Sequence, residues 1–125
     1  METSDKNKYS NISPNYKLWL TSDDGKNFMG DGKWLLLKAI DEKGSLKAAT
    51  KELNISYRKA WGDLKKTEIF LGFELTEKHR GGKNGGKSML TDKGKKLINA
   101  YQKFHTDIDN YIEKSFNKFL TSLNI

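Results

Sequence analysis

The chain has no cysteine, one proline and no long apolar run. Without thiols, disulfide frameworks, thiolate zinc sites and cysteine nucleophiles are all excluded. No stretch approaches the ~18–20 apolar residues of a membrane span, and the polar opening METSDKNKYSNISPNYK lacks the apolar segment of a secretion signal. A soluble, cytoplasmic protein is the expectation. Apolar residues are scarce as well, 35% of 125, whereas 31% are charged. That balance suits a thin core with polar flanks, and 11% aromatics is too many for a disordered chain. The length suits one domain. Acid is outnumbered by base, 16 Asp+Glu against 23 Lys+Arg, and the resulting charge of +7 favours a polyanionic partner. Nucleic acid comes first and an anionic membrane surface second.

Residues 1–15 are rich in Ser, Asn, Asp and Lys and contain Pro14, which predicts a mobile arm. From Tyr16, alternation of Tyr16, Leu18 and Leu20 with Lys17 and Trp19, the turn-forming Ser22-Asp23-Asp24-Gly25, and then Phe28 and Met29 predict a short hairpin. Trp34 to Ile40 suggest a first helix that Gly44 stops. Ser45 can cap a second, with Leu46, Ala49 and Leu53 on one face. Ser56 can cap a third, from Tyr57 to about Phe70, with Ala60 and Leu64 four apart on its inner side. Two short helices around the turn Asn54-Ile55 form a helix-turn-helix, with Ile55 expected to plug the angle between them and Trp61 read as core first, with a DNA contact as the alternative.

Phe73 and Leu75 then alternate with Glu74 and Thr76 as a strand would. The glycine-rich tip His79-Arg80-Gly81-Gly82-Lys83-Asn84-Gly85-Gly86-Lys87 follows, and Ser88-Met89-Leu90 returns. Between Thr76 and Lys96 stand Lys78, Arg80, Lys83, Lys87, Lys93, Lys95 and Lys96, against Glu77 and Asp92 alone. A cationic hairpin after a helix-turn-helix has the character of a wing that follows phosphates. From Thr91, a plausible cap, a long helix carries Leu97, Tyr101, Phe104, Ile108 and Tyr111 with gaps of four and three, a coiled-coil-like seam. So small a core cannot bury the whole seam, which predicts a homodimer contact. The fold class is therefore mainly α with a small β component. It is a winged helix-turn-helix over 16–90, the wing about 73–90, with an N-terminal β-hairpin and a C-terminal dimerisation helix over 91–125.

The runs GSLKAATKELNISYRKAW, Gly44 to Trp61, and LTEKHRGGKNGGKSMLTDKGKKLINAY, Leu75 to Tyr101, resemble the N-terminal DNA-binding domain of the ModE family of molybdate-responsive regulators. The specific features are the Ile-Ser-Tyr-basic-x-Ala-Trp start of the third helix and the double-glycine basic wing leading into Leu-Thr-x-x-Gly. The wider arrangement is similar to LysR-type winged helices. The resemblance covers roughly Gly32 to Tyr101 and implies a regulator that dimerises through a long helix and binds palindromic operators. The sequence ends at Ile125, before the family's molybdate-binding portion, so no oxyanion site is expected in it.

On this reading the partner is double-stranded DNA. The first turn of the third helix, Ser56, Tyr57, Arg58 and Lys59, lies nearest the bases, with Arg58 suited to bidentate recognition of guanine and Tyr57 to a sugar or a thymine methyl. Ser45 and Ser56 are caps that can also reach a phosphate. Lys65 and Lys66 flank the backbone, and Arg80, Lys83 and Lys87 on the wing reach phosphates or the minor groove. The wing tip also satisfies G-x-x-x-x-G-K-[ST], Gly81 to Ser88. A phosphate loop, however, needs a helix starting at its lysine, and Lys87 is followed by a strand-like segment. His79 and His105 have no metal-site spacing, and Glu74, Glu77, Asp107 and Asp109 form no acid–base pair and read as solvated. No enzyme, cofactor, metal or membrane role is expected, and any small-molecule effector is unknown. The alternatives are an architectural DNA binder without sequence preference and a protein-interaction module using the long helix.

Overall fold

The computed structural model describes residues 11–79 and 87–123. Strands β1 (Trp19–Thr21) and β2 (Asn27–Gly30) form an antiparallel hairpin, followed by helices α1 (Asp31–Lys43), α2 (Leu46–Leu53) and α3 (Tyr57–Leu71). Strands β3 (Thr76–His79) and β4 (Lys87–Leu90) make a second hairpin, and α4 (Asp92–Ser122) closes the chain. Two compact units result. One spans Leu18–Gln102, and the other joins the described residues up to Lys17 with the helix from Lys103 onward.

Helix boundaries fall where the punctuation places them. Gly44 and Gly72 end α1 and α3 with φ of 82° and 80°, the left-handed conformation that glycine adopts without a Cβ penalty. Ser45 Oγ accepts from Ala48 N at 3.0 Å and Ser56 Oγ from Lys59 N at 3.2 Å, so both serines cap their helices. Thr91 does the same for α4, accepting from Gly94 N at 2.9 Å while its hydroxyl donates to the Glu74 carbonyl at 2.6 Å.

Within Leu18–Gln102 the core is small and drawn from β2, β4 and all four helices, with Leu75 between α3 and the second hairpin. Leu36, Leu37, Ala39 and Ile40 of α1 meet Met29, Ala49, Ala60, Leu64, Leu75, Leu90, Ile98 and Tyr101. Trp34 Nε1 donates to the Ile98 carbonyl at 3.1 Å, tying α1 to α4. The hairpin is fastened by Lys33, whose side chain is only 7% exposed. Its ammonium donates to the Phe28 carbonyl at 2.7 Å and to the Thr67 hydroxyl, and lies 3.2 Å from the Asp63 carboxylate. A buried amine is tolerated because it is fully bonded.

Three sequence expectations change. Phe73 and Leu75 precede the strand, because the Leu75 N–H is taken by Glu68 at 2.7 Å and its carbonyl accepts from Thr91 N at 2.9 Å. Ile55 does not plug the helix-turn-helix angle. The two helices are in contact with Ala49 and Ala60 buried on them, and Ile55 is left 46% exposed. Trp61 is 48% exposed, since the inner face of α3 is filled by Ala60, Leu64, Thr67 and Glu68.

In the second unit, the Tyr16 hydroxyl donates to Asp109, and His105 Nδ1 lies 3.0 Å from the other oxygen of that carboxylate. The Tyr16 hydrogen bond, and after it His105, hold the Asp109 carboxyl below its usual pKa. Asp109, expected to be merely solvated, instead links residues before the hairpin to α4. Residues 1–10, most of the expected arm, and the wing tip with Arg80 and Lys83 lie outside the described residues.

Gly94 is the tightest steric point. A Cβ built there would stand 2.4 Å from the Leu75 carbonyl oxygen, a backbone atom that cannot swing aside. Gly94→Ala should destabilise the fold by ~1–3 kcal/mol or more, read as a lower urea midpoint by tryptophan fluorescence. Unchanged stability would mean that α4 shifts without cost.

Candidate functional site

Helix α3 presents two unlike faces. Its inner face is buried, while Tyr57, Arg58, Lys59, Trp61, Lys65 and Lys66 are exposed. These positions follow from the period of the helix, which turns every third and fourth residue inward at Ala60, Leu64, Thr67 and Leu71. At the leading end, Tyr57 directly follows the Ser56 cap and is 50% exposed, and Arg58 and Lys59 come next in the same turn. Neither Arg58 nor Lys59 has an ion-pair partner among the described residues, whereas Lys65 lies 3.3 Å from Glu68 and 5.6 Å over the Trp61 ring. Lys65 is thus partly engaged by its own helix. Lys66 lies on the other edge of α3 and helps line a cleft of about 1000 Å³ with Asp23, Asp24, Phe28 and Phe70.

The second hairpin is held against the helix-turn-helix from two sides. Ser88 N donates to the Gly44 carbonyl at 2.6 Å, which sets β4 beside the Ser45 cap of α2. Glu68, 9% exposed, receives the Leu75 N–H at 2.7 Å, which ties the end of α3 to the chain entering β3. Register is continuous from Thr76 opposite Leu90 to His79 opposite Lys87, and the Lys78 and Lys87 side chains are exposed. Lys87 opens a strand, so the helix required by a phosphate loop is not present after it. Among the described residues no group of three or more His, Asp or Glu could hold a metal ion, and no helix is long and apolar enough to cross a membrane.

The seam of α4 divides. Leu97 packs on the core, and Tyr101 is 4% exposed, its hydroxyl donating to Asp31 at 2.7 Å and lying 3.2 Å from the Leu18 carbonyl. Both were expected at a dimer contact, but their own protomer consumes them. Phe104 and Tyr111 remain 43% and 72% exposed, and Ile108 is half-buried. Sequence reasoning missed Lys33 and Glu68, which no motif or spacing marks out. It also set Trp61 and Ile55 inside, although Trp61, four residues after Tyr57, shares its side of the helix.

The comparisons with known proteins agree with this arrangement. The chain is 36% identical over 97 residues to the molybdenum-pterin-binding protein MopB of Rhodobacter capsulatus, covering 78% of this chain and 34% of MopB. It is 38% identical over 66 residues to the transcriptional regulator ModE of Haemophilus influenzae, covering 53% of this chain and 26% of that protein. ModE of Escherichia coli K12, a DNA-binding transcriptional dual regulator, is likewise 38% identical over 66 residues, with 25% of its length covered. This is a ModE-like winged helix. The chain spans only about a quarter to a third of these curated relatives, and no family profile matches it. In fold, the ModE-like domain is similar to the CbnR DNA-binding domain solved in complex with DNA, at a TM-score of 0.54 and 21% identity over 72% of this chain and 98% of that one. Full-length CbnR, a LysR family regulator, gives 0.52 at 22% identity over 70% of this chain and 28% of that one.

Removing the Glu68 carboxylate orphans the Leu75 amide. Glu68→Ala should cost ~1–3 kcal/mol in urea unfolding, and Glu68→Gln, which keeps an acceptor, should cost less. Equal losses in both would show that charge rather than the hydrogen bond matters.

Proposed function

We propose that this ModE-like chain is a transcriptional regulator that binds double-stranded DNA sequence-specifically as a homodimer. The observation that carries the reading is the leading end of α3. There Arg58 and Lys59 stand exposed, with no ion-pair partner among the described residues, directly after a capped helix start. Arg58 reads guanine in the major groove, with Tyr57 and Lys59 beside it, because the N-terminal turn of a recognition helix comes closest to base edges. Lys87, Arg80 and Lys83 on the wing, with Lys65, Lys66 and the Ser45 and Ser56 hydroxyls, supply phosphate contacts that fix register without reading sequence.

The MopB and ModE resemblance and the shared fold of a domain solved on DNA support this assignment. The homodimer is proposed through Phe104, Ile108 and Tyr111 of α4, the apolar positions that the core leaves uncovered. With two protomers, half-site centres one helical turn apart, ~34–36 Å, are the expected geometry.

Selection from random duplexes at two salt concentrations tests the assignment. A palindromic consensus with a steep salt slope is expected, and binding without consensus would instead mark a backbone-reading architectural protein. Arg58→Ala should cost ~1–3 kcal/mol and relax base preference at one position, whereas Lys87→Ala should weaken all sequences alike and reduce the salt slope by about one. Uniform loss for Arg58→Ala would remove its base-reading role. Tyr111→Glu should shift the protein to monomer in sedimentation equilibrium, and an unchanged mass would place the contact elsewhere.

A further inference from the structure

We infer that the leading end of α3 reads thymine through its 5-methyl groups, with Ile55, Tyr57 and Trp61 as the contacting side chains. The inference rests on the DNA-binding reading and adds, beside the guanine assigned to Arg58, a second base that the same helix end recognises. Ile55, Tyr57 and Trp61 are 46%, 50% and 48% exposed, and in the chain they flank the exposed cations Arg58 and Lys59. A site built only for phosphates gains nothing from uncovered apolar surface among cations. On the major-groove edges of B-DNA, the thymine methyl is the apolar group such side chains can meet.

The local structure explains why these three face outward. Ile55 precedes the Ser56 cap, a position that often packs against the fourth helical residue. That residue is Ala60, 6% exposed and too small to draw Ile55 in. Tyr57 and Trp61, four apart, are neighbours on one side of the helix, and Lys65, 5.6 Å over the indole, holds it by a cation–π contact. Gly62 adds a second, independent observation. A Cβ there would meet no protein atom within 4 Å, so internal packing does not require glycine at this point. Glycine inside a helix is unfavourable relative to alanine. Its presence leaves the backbone bare beside Trp61, where another molecule can approach closely.

The test compares two forms of the duplex recovered by selection, one with thymidine and one with deoxyuridine at the same positions, which differ by a methyl group at each base. The wild-type chain should bind the deoxyuridine form about three- to five-fold more weakly for each contacted methyl, the scale of burying one methyl-sized group. In Ile55→Ala, Tyr57→Ala and Trp61→Ala, the penalty should vanish at the position that each side chain reads. Equal wild-type affinity for both forms would overturn the inference, as would a penalty that persists unchanged in all three variants. The wild-type measurement needs no variant to fold. If no duplex is enriched at all, the DNA-binding reading itself falls.

Discussion

The peptide group of Leu75 is the joint on which the domain depends. Its N–H is taken by the Glu68 carboxylate at the end of α3, its carbonyl receives Thr91 N, and its side chain is fully buried. The same carbonyl oxygen sits where a Cβ on Gly94 would be. One residue thereby ties the last turns of α3 to the chain entering the second hairpin and sets how closely α4 approaches. The Leu-Thr-x-x-Gly run in the sequence acquires a physical meaning: Leu90 fills the core, Thr91 caps α4 and bonds Glu74, and Gly94 makes room for a carbonyl. An error of one ångström at this joint would move the wing relative to the helix-turn-helix, because interiors this closely packed transmit displacement instead of absorbing it.

Charge is distributed with the same economy. The chain carries a large excess of base, yet its lysines do different work. Lys33 is a structural cross-brace between the first hairpin and α3, bonded to Phe28, Thr67 and Asp63. Lys65 is held between Glu68 and Trp61. Arg58 and Lys59 are left to solvent at the start of α3, where no acid among the described residues answers them. At that end of α3 the exposed Tyr57 and Trp61 rings stand in the same stretch of helix as the two cations.

Most of the architecture was legible beforehand. Ser45, Ser56 and Thr91 announced helix starts, Gly44 and Gly72 stand at helix ends, and the spacing of Leu36, Leu37 and Ile40 or of Ala60 and Leu64 set inner faces. These signals are local: a cap or a left-handed glycine acts within one turn of chain. Three of the misjudged positions, Ile55, Trp61 and Tyr101, share a different character. Each is a large apolar or aromatic residue on a helix face or turn, where periodicity says which side it is on but not what stands opposite. Tyr101 went into the core because Asp31 and the Leu18 carbonyl were there to meet its hydroxyl. Ile55 and Trp61 stayed out, with Ala49 and Ala60 buried on the two helices and other residues filling the inner face of α3.

By itself, then, the sequence determined the order of the elements, the capped ends of the helices and the apolar spacing along α4, all properties carried by residues within a few positions of one another. Tertiary structure alone decided which charges are spent and which remain. Lys33 and Asp63 are thirty positions apart in the chain, and Glu68 and Leu75 come together only when α3 and the hairpin fold back on each other. A charged side chain reads the same in sequence whether it braces a core or faces solvent. The difference is desolvation, which depends on every neighbour that the fold brings near.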